Sequence, residues 1–235
     1  ITSPPAPIGV LGDLLAAAVN PNVGSFTLSP VATVVEEQSI RGIAGLIGYP
    51  EDCGGILVTG GNMANFVCFL AARKGGTPGD VRRHGIGSAG KKLRIYVSSE
   101  AHTWINKAAD ISGIGTDGIR WIPADANQRM NLGELEQRIV EDRARGDLPL
   151  MIVGTAGTVS TGAIDPLGAI SAIAKKYGIW FHVDGAYGAL AASLPDAPDD
   201  LRALALADSV AVDPHKWLYT PLECGCALVR NRRLL

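Results

Sequence analysis

Cysteine is scarce in this chain and is not spaced for structural use. Of 235 residues four are cysteine, Cys53, Cys68, Cys224 and Cys226, and the one close pair is a C-x-C that matches no common zinc spacing. A disulfide framework and a zinc cluster are therefore excluded as the basis of the fold, and the reduced thiols of a cytoplasmic protein are expected. An excess of one charge is missing as well. With 21 Lys and Arg against 23 Asp and Glu the formal net charge is −2, which provides no basic field for nucleic acid. The densest basic stretch, Arg82-Arg83-His84 with Lys91, Lys92 and Arg94, lies among glycines and reads as a solvated loop. Long apolar runs are lacking too. Met151 to Val153 and Ala203 to Ala207 fall far short of the ~20 residues that span a bilayer, and no charged-then-apolar leader opens the chain. Neither nucleic acid nor a membrane is an expected partner.

What is present is an ordinary globular composition, 47% hydrophobic and 19% charged, enough for one large domain with a sizeable core. Helical periodicity marks Ile8 to Val19 and Val31 to Ile47, the second opened by Ser29-Pro30 as cap and first-turn proline. Residues 1–48 thus read as a helical lead-in and 49–235 as a sheet domain. From Ile56 onward, short apolar strands (Ile56–Val58, Leu93–Val97, Ile119–Ile122, Leu150–Val153, Ile179–Val183, Val210–Val212, Cys226–Val229) alternate with amphipathic helices (Met63–Arg73, Thr103–Ile111, Leu132–Ala144, Leu167–Tyr177). Such alternation predicts an α/β fold, a mostly parallel sheet between helices in three layers, α/β/α. Lys74 to Lys92, rich in glycine and charge, reads as a surface excursion. The chain opens on Ile1 and closes on Asn231-Arg232-Arg233-Leu234-Leu235 directly after an apparent strand, so a fragment cut at both ends is expected.

Two strand ends carry chemistry. The apolar run Ile179 to Val183 stops at Asp184, and Val210 to Val212 stops at Asp213-Pro214-His215-Lys216-Trp217. In open α/β sheets ligands bind at such ends. An amine at Lys216 to hold an aldehyde and a carboxylate at Asp184 to hold a ring nitrogen are what a pyridoxal 5'-phosphate site needs. A carboxylate that follows several apolar residues is costly to bury unless something cationic meets it. Gly60 and Gly61 let backbone amides approach an anion, and Asn62 opens a helix whose first N–H groups point at it; Gly61 and Asn62 are the expected phosphate site. His182, two residues before Asp184, is placed to hydrogen-bond it, and Asp165-Pro166 reads as a structural helix cap.

The stretch Pro214-His215-Lys216-Trp217, together with Thr59-Gly60-Gly61-Asn62-Met63-Ala64-Asn65, Ala101-His102-Thr103, Gly157-Thr158 to Asp165-Pro166 and His182-Val183-Asp184, resembles the pyridoxal-phosphate-dependent (group II) amino acid decarboxylases, which include aromatic-L-amino-acid, glutamate and diaminobutyrate decarboxylases. The resemblance runs over essentially the whole chain. It implies the large domain of fold type I, truncated at both ends and lacking the smaller carboxyl-terminal domain. It also implies that His102 stacks on the cofactor ring, Ala186 underlies it, His215 meets the phosphate or covers the imine, and Thr158 or Ser160 adds a hydroxyl. The chain departs from the family at Val159, where a second threonine is usual, and at Asp213, usually asparagine, whose charge bears on the protonation of Lys216.

The reaction implied is decarboxylation of an L-amino acid to an amine and CO2 through a Lys216 aldimine and a quinonoid. An aromatic substrate is the first expectation, with glutamate and diaminobutyrate behind it. The implied partner is a second copy of the chain in a homodimer whose mobile loop completes the neighbouring site. Since the cofactor site alone does not choose which bond breaks, an aminotransferase or carbon–carbon lyase of the same fold is the alternative. More distant are a metal set of His182, Asp184, Asp213 and His215 and an inert binding fragment.

Overall fold

Small residues decide how closely the layers approach. Ala64, Cys68 and Ala71 on one helix meet Ala211, Ala227 and Val229 on two strands, so helix and sheet backbones pack at short range. In the computed structural model, which describes residues 3–235, that helix is α3. The helices run α1 (Pro7–Val19), α2 (Pro30–Leu46), α3 (Gly61–Gly76), α4 (Val81–His84), α5 (Trp104–Ile111), α6 (Leu132–Ala144), α7 (Leu167–Tyr177), α8 (Asp199–Arg202) and α9 (Pro214–Trp217). The strands are β1 (Gly54–Val58), β2 (Leu93–Ser98), β3 (Ile119–Ile122), β4 (Leu148–Thr155), β5 (Trp180–Asp184), β6 (Ser209–Val212) and β7 (Gly225–Val229).

They form one seven-stranded sheet in the order β1-β7-β6-β5-β4-β2-β3. The pairs from β6 through β3 are parallel, whereas β7 runs antiparallel to both β6 and β1. Side chains alternate between faces. Met151 and Val153 of β4 join Ile95, Val97, Phe69, Trp104 and Ile105 on the face covered by α3 and α5. Ile152, Phe181, Val183 and Val210 join Leu135, Ile139, Leu167 and Ile170 on the face covered by α6 and α7. The central strands are apolar on both faces because both faces are covered, and the three layers are those expected.

One local expectation is corrected. Ser29 makes no side-chain capping bond to α2; its carbonyl instead accepts from the Thr33 hydroxyl at 2.9 Å. The excursion at 74–92 lies on the surface as expected, with Val81 and Ala89 its only buried residues, and Arg94 beyond it pairs with Asp147 at 2.7 Å. Arg82, Arg83, His84, Lys91 and Lys92 stay exposed. No helix of the described residues is long and apolar enough to cross a membrane. Helix α1 buries none of its residues, although its start is fixed by Ala6 N–H donating to the Tyr219 carbonyl at 2.8 Å.

Candidate active site at the carboxyl ends of the strands

The carboxyl ends of β4 and β5, the turn into α9 and the first turn of α3 enclose a cavity of about 280 Å³. Asp184, the last residue of β5, is 6% exposed and faces it. Its Oδ2 accepts from Trp104 Nε1–H at 2.8 Å and its Oδ1 from the Ala186 amide at 3.2 Å. Both donors are neutral, and among the described residues no basic side chain pairs with this carboxylate. A nearly buried negative charge of this kind is a seat for a cation on a ligand.

Lys216 reaches the same cavity from α9, a turn that starts as soon as β6 ends because Pro214 provides the first helical residue. Its Nζ lies 2.8 Å from Asp213 Oδ2. Asp213 is 2% exposed. Burial pushes its carboxyl above the usual range, and the hydrogen bond and charge of Lys216 oppose the rise. Asp213 and Lys216 are thus in direct contact. Asp213 Oδ1 is buried with no partner. His215 Nδ1 accepts from the Cys224 amide at 3.0 Å, so the neutral ring carries its proton on Nε2, 3.7 Å from Asp213 Oδ2.

At the other wall Gly60 has φ +83 and precedes α3, whose first turn has no side-chain cap. A Cβ on Gly61 would lie 2.6 Å from Asp213 Oδ2, so glycine is required for this approach. Gly61 and Asn62 line the cavity, and no side chain caps the helix start there, an arrangement suited to an anion. Thr155, at the end of β4, also lines the cavity, and its Oγ1 is buried without a partner, a donor left for a ligand. His102 and Ala186 also line the cavity, and His102 Nδ1 accepts from the Trp104 amide at 3.3 Å.

Of the residues singled out from sequence, the cavity brings together Gly61, Asn62, His102, Asp184, Ala186, Asp213, His215 and Lys216. Thr158 and Ser160 are not brought to it. Thr158 is buried and shares its hydroxyl with Thr161 at 2.8 Å, and Ser160 points to solvent; the lining threonines are Thr59 and Thr155. His182 does not touch Asp184. The Trp104 indole stands edge-on to it, ring centres 5.8 Å apart, and supplies the bond to Asp184 in its place. Both nitrogens of His182 are taken, by Asn65 and Ser209. The metal set accordingly does not converge, and no group of three potential metal ligands occurs among the described residues. Asp165 is structural, as expected, but not as a cap. Its oxygens accept from the Met130 and Thr155 amides at 2.7 and 2.8 Å, which pins the end of β4.

Sequence reasoning missed Trp104 as a site residue. The available signal was that a tryptophan buried behind His102-Thr103 must find an acceptor for its N–H. Glu223 and Tyr187, also in the lining, carried no such signal.

An uncompensated carboxylate, a lysine, an orphaned hydroxyl and an uncapped helix start within one cavity fit the ring nitrogen, aldehyde and phosphate of pyridoxal phosphate. The comparisons with known proteins agree. The sequence profile of the pyridoxal-dependent decarboxylase conserved domain matches residues 5–235. An aromatic-L-amino-acid decarboxylase of Bacillus atrophaeus is 30% identical over 97% of this chain and 46% of its own length. A cysteine sulfinic acid decarboxylase of Mus musculus is 32% identical over 96% of this chain and 45% of its own. A crystal structure of mouse CSAD superposes with a TM-score of 0.92 at 32% identity, covering 98% of this chain and 48% of that one. The chain thus spans about half the length of the curated relatives it matches, with the fold of fold type I enzymes, and it belongs to the pyridoxal-dependent decarboxylase family.

Proposed function

We propose that the protein carrying this chain is a pyridoxal-phosphate-dependent carboxy-lyase that releases CO2 from an L-amino acid, with aromatic amino acids as its substrate class. The observation that carries the reading is the pairing, in one cavity, of Lys216 with a buried Asp184 that meets no cation of the protein. When bound, the cofactor supplies a cationic ring that accepts the electron pair left at the substrate's α-carbon. Asp184 would hold the ring nitrogen, the amides of Gly61 and Asn62 and the Thr155 hydroxyl would hold the phosphate, and Ala186 would leave room for the ring. Lys216 would supply the amine for the aldehyde, with Asp213 beside it to take up a proton. His102 would cover the ring and orient the carboxylate that leaves; this histidine favours decarboxylation over amino transfer.

Support for an aromatic substrate comes from the lining. Tyr187, Val159 and Leu222 are among its lining residues, and Tyr187 is steadied edge-on by Trp217 at 5.7 Å. No arginine among the described residues lines the cavity, which leaves an acidic substrate side chain without a cationic partner there. In the same reading residues 1–235 are most of the large domain, a smaller carboxyl-terminal domain completes the protein, and two copies associate as a homodimer. The exposed apolar stripe of α1 supports the dimer. Cysteines that are all unpaired support a cytoplasmic location.

The test is the full-length protein mixed with pyridoxal phosphate, its visible spectrum taken before and after borohydride, and the labelled peptide mapped by mass. Label on Lys216, lost in Lys216→Ala, is expected, followed by CO2 release from aromatic but not acidic amino acids. No label, or label elsewhere, overturns the cofactor reading; CO2 from glutamate alone overturns the substrate class.

A further inference from the structure

From Asn65 in the cavity lining a string of hydrogen bonds, which the proposed chemistry leaves unused, runs down into the sheet. His182 is wholly buried on β5. Its Nε2 is 2.7 Å from Asn65 Oδ1 and its Nδ1 2.8 Å from Ser209 Oγ. Asn65 Nδ2–H donates to the Gly61 carbonyl at 2.9 Å, and Trp180 Nε1–H donates to Ser209 Oγ at 2.9 Å.

Donor counting gives the string a direction. Asn65 spends its amide N–H on Gly61, so the atom it turns to His182 is an oxygen, which only accepts. Nε2 of His182 must then carry the hydrogen. A neutral imidazole has one N–H, so Nδ1 accepts, and the Ser209 hydroxyl that receives the Trp180 N–H gives its own proton to His182. Every link points the same way, from Trp180 through Ser209, His182 and Asn65 to Gly61. Reversing the Asn65 amide would set its oxygen against the Gly61 carbonyl, two acceptors facing each other.

We infer that Asn65, held by the Nε2–H tautomer of His182, is the positioning residue for the anion cradle. Its grip on the Gly61 carbonyl sets the first turn of α3 at a fixed height above β5, the strand that presents Asp184. The strut thereby adds a directional link between the two seats, one for an anion and one for a ring cation, to the close packing of α3 on β6 and β7. Burial pushes the His182 imidazole down to about 4, with Asp184 opposing, so the strut keeps one tautomer through neutral pH. The Trp104 ring against His182 adds a wall that blocks rotation. The inference rests on the cofactor reading only for the identity of the ligand.

The experiment compares wild type and Asn65→Leu in the full-length protein, with pyridoxal phosphate, pyridoxal and inorganic phosphate as probes, read by equilibrium dialysis. The leucine is close in volume and has no polar atoms. Expected is at least a tenfold loss of affinity for pyridoxal phosphate and for inorganic phosphate, with pyridoxal changed by less than twofold. Equal losses for pyridoxal and pyridoxal phosphate, or no loss for either, overturn the proposal. If wild type holds inorganic phosphate but not pyridoxal phosphate, the cofactor reading fails; a tenfold loss of inorganic phosphate in Asn65→Leu would still uphold the strut. Imidazole ¹⁵N NMR of wild type gives a second decision that does not depend on the variant folding. His182 is expected as a neutral Nε2–H ring from pH 5.5 to 8.5, and an Nδ1–H ring or a titration within that window overturns the assignment.

Discussion

Asp184 receives its two hydrogen bonds from donors of unequal replaceability. The Ala186 amide comes with the backbone, whereas the indole of Trp104 is one side chain from α5. Trp104→Phe deletes the N–H together with part of the buried ring, so it leaves one lone pair of a buried carboxylate unmet, at a cost of about 1–3 kcal/mol, and opens a small cavity that adds to the loss of stability. Expected are a melting temperature lower by several degrees and a weaker hold on the ring nitrogen, read as a fall in kcat with little change in KM for the amino acid. Unchanged kcat in a folded Trp104→Phe would remove Trp104 from the site. His182 gives a second residue-scale consequence through pH. Its folded pKa lies below the unfolded value, so between about 6.5 and 4 the unfolded chain takes up a proton that the folded one refuses. Stability falls as pH falls through that window, by about 3 kcal/mol at the full shift. In His182→Gln the slope of stability against pH between 6.5 and 4 is expected to lessen by one proton, which denaturant melts at half-unit pH steps would show. At this scale the site was largely legible. Lys216, Asp184, Gly61 and Asn62 could be picked out by their place at a strand or helix end together with the motif resemblance, whereas Trp104 and Asn65 act through partners far away in sequence, 80 and 117 residues off, and no local pattern encodes that separation.

Elements were legible where the apolar period is undisturbed and less so at their ends. Helices α6 and α7 and strand β3 fall on the expected residues. Strand β4 runs from Leu148 to Thr155, beyond the apolar run, because it pairs on one side with β2 and on the other with β5, and hydrogen bonding rather than hydrophobicity sets its length. The antiparallel pairing of β7 with β6 and β1 was not legible, since an apolar strand reads alike in either direction. That strand nonetheless shapes the cradle. A Cβ on Gly225 would sit 2.4 Å from the Gly60 backbone, closer than atoms can pack. Gly225→Ala is expected to push Gly60 and the start of α3 away from β7, costing about 1–3 kcal/mol by overpacking and weakening pyridoxal phosphate more than pyridoxal. Thermal melts and dialysis on the same samples would measure both. A variant with wild-type affinity for both would show that the cradle tolerates the shift.

At the scale of the whole molecule the decisive feature is the uncovered face of α1, none of whose residues is buried. Ser3 Oγ–H donates to the Lys216 carbonyl at 2.8 Å and Ala6 N–H to the Tyr219 carbonyl, so the helix leaves directly from the active-site turn. Beyond that anchor it carries Ile8, Leu11, Leu15 and Val19 at helical spacing on one face, and Leu11 and Leu15 are 60% and 64% exposed. An apolar stripe left in water has no source of stability of its own, because a helix of 13 residues is marginal without packing. A second copy of the chain seated on this face would bury the stripe and stand beside Lys216, which is how a neighbour could complete the site. Leu11→Lys with Leu15→Lys charges the stripe without touching the cavity lining. In sedimentation of the full-length protein the wild type is expected at twice the chain mass and the double variant at the chain mass, with turnover lost while borohydride still labels Lys216. Retained dimers with retained turnover would assign the stripe to the protein's own remaining chain and leave the active site to a single copy.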